Sequence, residues 1–222
     1  MARAPRLPAR TVDRVMRTLA AAIREMELPA VEKISEADAA DPFRILIATL
    51  LSARTQDATT HAASTRLFRR ARTPRTMANL TVREVERLIY PVSFYRNKAE
   101  HVRACCRMLV DRHGGRVPAT MEELVALPGV GRKTANLVLI LAFGSRRNIC
   151  VDTHVHRISN RLGWVATGDP EETETALYAA LPQRWWARVN LHLVVWGQNV
   201  CRPIGPRCGA CAIARDCPRI GA

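Results

Sequence analysis

The 222-residue chain predicts an all-α fold, and three observations carry that expectation. Apolar residues recur at helical spacing along most of its length, while no stretch sustains the alternation of a half-buried strand. Three capping side chains stand directly before proline, at Asp41-Pro42, Thr73-Pro74 and Asp169-Pro170, as in helices that begin on the proline. The pair Gly114-Gly115 closes a long apolar-faced segment in the way a helix stop does.

Taken in order, residues 1–8 are rich in Pro, Arg and Ala and read as a frayed basic tail. Val12, Val15, Met16, Leu19 and Ile23 form the stripe of a first helix. A second helix starts at Pro42, and its Leu46–Leu51 stretch is apolar enough to be buried. Thr73-Pro74 opens another. Val102, Cys106, Leu109 and Val110 share one face of the helix that ends before Gly114-Gly115. Helices over Met121–Leu127, Lys133–Phe143, Thr153–Leu162, Pro170–Leu181 and Trp185–Val200 complete the set. No repeat period or low-complexity tract appears, and the length suffices for one large domain or two small ones.

Composition narrows the function. A formal net charge of +14 points to a polyanionic partner, nucleic acid being the usual one, although a basic surface without a specific partner has the same signature. Aromatic residues are only 5% of the chain, which argues against a platform of stacked rings for single strands. No apolar run reaches the length of a membrane span. Met1–Arg17 lacks the apolar core and cleavage site of a secretory signal, so a reducing compartment is expected. Only three of the 34 basic residues are lysines, Lys33, Lys98 and Lys133. Arginine satisfies phosphate contacts but cannot be deprotonated, so a lysine in this background is a candidate for amine chemistry.

Cys201, Cys208, Cys211 and Cys217 stand as C-x6-C-x2-C-x5-C in a short Arg-bearing segment. Four thiolates so close in sequence can enclose one metal centre, zinc or an iron–sulfur cluster. Zinc sites usually pair their cysteines in two short knuckles, and here only Cys208 and Cys211 are that close. The wider arms suit the bulkier cluster; structural zinc is the rival, and two disulfides are the reading for an oxidising compartment. Cys105, Cys106 and Cys150 lie among apolar neighbours and read as small core residues.

The segment Leu127-Pro128-Gly129-Val130-Gly131-Arg132-Lys133-Thr134-Ala135 joins two helices. Pro128 sets a turn, and the two glycines permit positive φ and close approach by another backbone. Amides at the start of the next helix then form an anion site, so the segment reads as a phosphate-cradling helix–hairpin–helix, the alternative being a plain helix–turn–helix connection. Lys133 falls in the first turn of that helix, where the helix dipole and Arg132 favour its free amine, the form needed for Schiff-base chemistry. Further on, Val151-Asp152-Thr153-His154 places Asp152 to cap a helix or to act as carboxylate partner of the lysine. His154 and His156, two residues apart on a helix, present no shared metal face and read as structural or surface groups.

The hairpin LPGVGRKTAN, the VDTH segment and the cysteine run, in this order and spacing, resemble the endonuclease III family. That family comprises DNA glycosylases and abasic-site lyases of the helix–hairpin–helix superfamily. The resemblance covers roughly residues 11–218 and includes Leu50-Leu51-Ser52-Ala53 and Phe94-Tyr95-Arg96-Asn97-Lys98-Ala99. It implies a bifunctional base-excision repair enzyme for oxidised pyrimidines such as thymine glycol, acting as a monomer on double-stranded damaged DNA. Lys133 would displace the flipped-out base at the sugar C1′ with Asp152 assisting, and the Schiff base would permit β-elimination. The hairpin residues Gly129, Val130, Gly131, Arg132 and Thr134 would lie against DNA. The four cysteines would hold a 4Fe–4S cluster that orders a DNA-touching loop bearing Arg202 and Arg207. The resemblance also implies two lobes flanking a DNA-binding cleft, a six-helix lobe over residues 34–145 and a cluster-bearing lobe joining residues 1–33 to 146–222. Lys133 and Asp152 would face each other across that cleft. The expected setting is cytoplasmic, nucleoid-associated and bacterial.

Two positions depart from the bacterial pattern. Arg54 stands where glutamine is common, in the loop that fills the gap left by the flipped base, and Phe94 stands where a leucine-like wedge is usual. Arg54 can hydrogen-bond the orphaned base and Phe94 can stack in the helix. The nearest rival is an adenine- or thymine-mismatch glycosylase of the same superfamily. Such enzymes lack a lysine at the hairpin, and the adenine-specific type carries a further recognition domain, whereas this sequence stops five residues after Cys217. A non-catalytic DNA-binding protein is the rival from another class, and the joint presence of Lys133 and Asp152 argues against it.

Overall fold

The structure, a computed structural model, describes residues 9–222, so the expected tail over residues 1–8 lies outside the described residues. All regular secondary structure among the described residues is helical. The chain divides into two compact units, Pro29–Ser145 and, discontinuous in sequence, Arg146–Ala222 with the N-terminal segment up to Leu28.

Helix α1 (Ala9–Ala22) belongs to the discontinuous unit and buries Val12, Val15, Met16 and Leu19 on one stripe. Burying a side chain of this kind contributes about 1.5–3 kcal/mol, and the stripe stabilises a 14-residue helix with no acidic residue in its first turn and no basic one in its last.

The central unit runs through α2 (Ala30–Ala37), α3 (Pro42–Ser52), α4 (Asp57–Arg70), α5 (Pro74–Ala78), α6 (Val82–Ile89), α7 (Tyr95–His113), α8 (Met121–Val125) and α9 (Arg132–Phe143). Six of these have eight residues or more, and α5 and α8 are five-residue turns. Asp41 caps α3 as its sequence predicts, its Oδ1 accepting from the Phe43 amide at 2.9 Å. Ile45, Leu46, Ile47 and Leu51 of α3 are wholly buried, which makes it the central strut of this unit. Helix α7 is flanked by Phe94 as its N-cap, held at φ 56°, and by Gly114 as its C-cap at φ 60°. Its buried face is Val102, Cys105, Cys106 and Leu109, with Val110 only half-buried.

Three helices escape the sequence reading: α2, α4 and α6. The buried face of α4 is Thr60, Ala63, Ser64, Leu67 and Phe68, so small and hydroxyl-bearing residues hide the apolar period. Helix α6 carries a capping box: the Glu84 amide donates to Thr81 Oγ1 at 3.2 Å, and the Thr81 amide to Glu84 Oε2 at 2.7 Å.

The discontinuous unit closes with α10 (Thr153–Arg161), α11 (Pro170–Ala180) and α12 (Trp186–Asn199), followed by the cysteine loop. Val155, Ile158, Leu177, Val189, Leu193 and Trp196 pack with the stripe of α1 in one core. Two polar anchors fasten α1 there. Asp13 accepts from Arg184 Nε at 3.0 Å and from Trp185 Nε1 at 2.6 Å, and Arg14 Nε donates to Asp216 Oδ2 at 3.0 Å. Close approach has its own requirement where α12 meets α10. A Cβ on Gly197 would sit 2.4 Å from His154 Nδ1 and 3.1 Å from an Arg157 Nη.

Candidate active site and cysteine loop

The α8–α9 connection folds as a tight hairpin, the Val130 amide donating to the Leu127 carbonyl at 3.1 Å. Gly129 has φ +78°, and a Cβ there would fall 2.8 Å from His101 Cβ, so both backbone and space demand glycine. Gly131 differs from the sequence expectation: at φ −93° and ψ 175° it is ordinary extended backbone serving as the N-cap of α9. A side chain there would meet nothing, and the glycine leaves the helix end without a side-chain cap. A helix terminus built this way leaves its first amides open to water or to an anion. Lys133 is half-buried in the first turn of α9, with Arg132 exposed beside it and Val130 and Thr134 buried.

Asp152 lies in the other unit, as N-cap of α10. Its Oδ1 accepts from the amides of His154 at 2.9 Å and Val155 at 2.8 Å. His154 Nδ1 pairs with Arg157 Nη2 at 3.1 Å and His156 Nδ1 with Thr173 Oγ1 at 2.7 Å, contacts that belong to packing.

Arg54 and Phe94, far apart in sequence, come together in the central unit. The Arg54 guanidinium lies 5.9 Å from the centre of the Phe94 ring, and Phe94 is 61% exposed. Both hold left-handed backbones, at φ 54° and 56°. Behind them Lys98, on the first turn of α7, is buried and donates to the carbonyls of Leu51 at 2.8 Å and Ala53 at 2.6 Å and to Thr55 Oγ1 at 3.0 Å. Burial pushes its amine down to about 8, and the charge of Lys133 presses it in the same direction.

The four thiols Cys201, Cys208, Cys211 and Cys217 border one pocket, whose remaining walls include Ile158, Leu162, Trp196 and Ile213. No group of three or more His, Cys, Asp or Glu that could hold a single metal ion occurs among the described residues. Burial pushes the Cys217 thiol up, and the other three thiols add to it. The loop is pinned to α10 by two arginines one turn apart. Arg161 Nη1 donates to the Arg202 carbonyl at 2.7 Å and approaches Cys201 Sγ at 3.5 Å, while Nη2 donates to the Pro203 carbonyl at 3.0 Å. Arg157 Nη2 reaches the Cys201 carbonyl at 2.8 Å. Arg207 lines the cavity, and Arg202 is exposed.

Comparison with known proteins gives a consistent result. Residues 47–183 match the HhH-GPD superfamily of base excision DNA repair proteins. The chain is 49% identical over 177 residues to endonuclease III of Thermotoga maritima, covering 80% of this chain and 83% of that protein. It is 45% identical over 184 residues to the chloroplastic endonuclease III homolog 2 of Arabidopsis thaliana, covering 79% of this chain and 48% of that longer protein. Among solved structures it superposes with a TM-score of 0.85 and 34% identity on a trapped endonuclease III–DNA covalent intermediate, covering 96% of this chain and 97% of that one. The chain belongs to the endonuclease III family. It is therefore an enzyme, a DNA glycosylase and abasic-site lyase.

In a member of the endonuclease III family, the cysteine loop offers the donor chemistry that an iron–sulfur cluster takes. Its metal-ligating side chains are four thiols and nothing else, the pocket they border is lined by apolar side chains together with Arg161, Arg207 and Arg219, and the buried guanidinium of Arg161 faces one sulfur. Two groups that shape the candidate sites were not singled out for them by the sequence, Arg161 for the cysteine loop and Lys98 for the Arg54 loop. The partners of Arg161 lie 41 and 42 residues away and those of Lys98 43 to 47, so no local motif marks them. The one usable signal for Lys98 was its rarity in an arginine-rich chain.

Proposed function

We propose that this endonuclease III family member excises oxidised pyrimidines of the thymine glycol type from double-stranded DNA and then cuts the abasic strand. The observation that carries the reading is Lys133 on the first turn of α9, directly after a hairpin that ends in an uncapped helix terminus. The hairpin amides bind a backbone phosphate, with Gly129, Val130, Gly131, Arg132 and Thr134 forming the contact. The damaged nucleotide is turned out of the duplex, and Arg54 and Phe94 occupy the space it leaves.

The Lys133 amine then attacks C1′ as the bond from C1′ to the base nitrogen breaks, and the base leaves with the electron pair and takes up a proton. Asp152 stabilises the positive charge that develops on the sugar. Opening of the ring gives a protonated imine between Lys133 and C1′. Loss of a C2′ proton and expulsion of the 3′ phosphate complete β-elimination, and water frees the lysine. Cys201, Cys208, Cys211 and Cys217 hold a 4Fe–4S cluster, which supplies no step of this chemistry. It orders the loop from which Arg202 and Arg207 meet DNA phosphates. The enzyme acts as a monomer, in a reducing compartment where thiolate ligands persist.

Borohydride trapping on a thymine glycol duplex tests the reading. Wild type gives a covalent adduct and Lys133→Ala gives none. An adduct that persists in Lys133→Ala removes Lys133 as the nucleophile. Base release from wild type without any adduct makes the enzyme monofunctional.

A further inference from the structure

Lys98 is one of three lysines in the chain and is only 8% exposed. An ammonium has three hydrogens to donate, and here each has an acceptor: Leu51 O, Ala53 O and Thr55 Oγ1. All three acceptors belong to the end of α3 and the loop that follows it, which carries Arg54. Thr55 Oγ1 also accepts from the Ser93 amide at 3.2 Å, and the Lys98 amide donates to the Phe94 carbonyl at 3.0 Å. One residue thus ties together two loops 40 residues apart, each bearing a side chain of the exposed Arg54–Phe94 pair. Both of those side chains stand on left-handed non-glycine backbones, a conformation that persists only when its surroundings fix it. A guanidinium could not take the place of Lys98, because its planar fork cannot aim three hydrogens at acceptors converging on one point.

We infer that Lys98 is a positioning residue for DNA distortion: its ammonium fixes the 52–55 loop and, through Thr55, the backbone entering Phe94, so that Arg54 and Phe94 meet DNA as one preformed wedge. The inference rests on the reading of Arg54 and Phe94 as the groups that fill the opened duplex. Preforming the wedge removes an ordering cost from binding, so its loss shows in KM and in duplex opening before it shows in the chemical step.

The test is a double-mutant cycle on the full chain, comparing wild type, Lys98→Met, Arg54→Ala/Phe94→Ala and the triple variant. Each is measured for KM and kcat on a damaged duplex and for the fluorescence rise of 2-aminopurine placed opposite the lesion. Lys98→Met is expected to raise KM about tenfold with a much smaller change in kcat, and to blunt the fluorescence rise. The triple variant is expected to be no worse than Arg54→Ala/Phe94→Ala, because Lys98 acts through that pair. Fully additive losses overturn the inference and leave the wedge reading standing. Wild-type KM and fluorescence in Arg54→Ala/Phe94→Ala overturn both together. Should Lys98→Met not fold, Thr55→Val removes the hydroxyl shared by Lys98 and Ser93 and is expected to give the same non-additive pattern at smaller amplitude.

Discussion

Asp152 Oδ1 accepts from the amides of His154 and Val155, so the carboxylate proposed to steady a cationic sugar also caps α10. Substitution separates the two roles. Asn is as good an N-cap as Asp, so Asp152→Asn is expected to keep thermal stability while losing base excision. Asp152→Ala is expected to lose both, at about 1 kcal/mol of stability. Equal melting of the two variants would show that the cap contributes nothing. His192 gives a second residue-level prediction. It is buried, and desolvation first and Arg188 second push it down to about 4. The unfolded imidazole titrates near 6.5, so between about pH 6.5 and 4 the unfolded chain binds the extra proton and stability falls as pH falls. His192→Gln is expected to flatten that part of the stability–pH curve, read by denaturant titration. These residues also show what local sequence can carry. The cap of Asp152 and the hairpin glycine at 129 were legible because their partners are neighbours or their backbone demands are intrinsic. Lys98 and Arg161 were not, because what they hold comes from other elements.

Among the elements, α10 carries the most consequences. Its N-terminus is capped by Asp152, its side presents Arg157 and Arg161 to the cysteine loop, and its other neighbour α12 passes close enough to require Gly197. Gly197→Ala is expected to cost about 1–3 kcal/mol by overpacking. It should also loosen the loop, since the added methyl displaces Arg157 from the Cys201 carbonyl; the visible absorbance of the purified variant then falls with its stability. Full absorbance with wild-type melting would refute the close-packing account. The sequence revealed α10 through the capping Asp152 before it, and α12 through a buried face that is mainly apolar. It concealed α4, whose buried face includes Thr60 and Ser64, and the short α2, one of whose four buried residues is Glu32.

For the molecule as a whole, the net charge of +14 sets how it finds DNA. If about six phosphates are neutralised, affinity is expected to fall on the order of a thousandfold between about 50 and 200 mM salt. A flat salt titration would reject the charge as a DNA footprint. The all-α class was legible from the sequence, and so was the cysteine run, because both are local patterns. The α1 anchors were not, since Asp13 meets a partner 171 residues away and Arg14 one 202 residues away.

Those two anchors set an order of events during synthesis. Helix α1 leaves the ribosome before any of the residues it packs against in α10, α11 and α12, while residues 29–145 make up a compact unit of their own. The central unit can therefore close first, with the apolar stripe of α1 left waiting in water. Only when Arg184 and then Asp216 emerge are both polar anchors of α1 available, so its stripe stays exposed longer than any surface buried between neighbours in sequence.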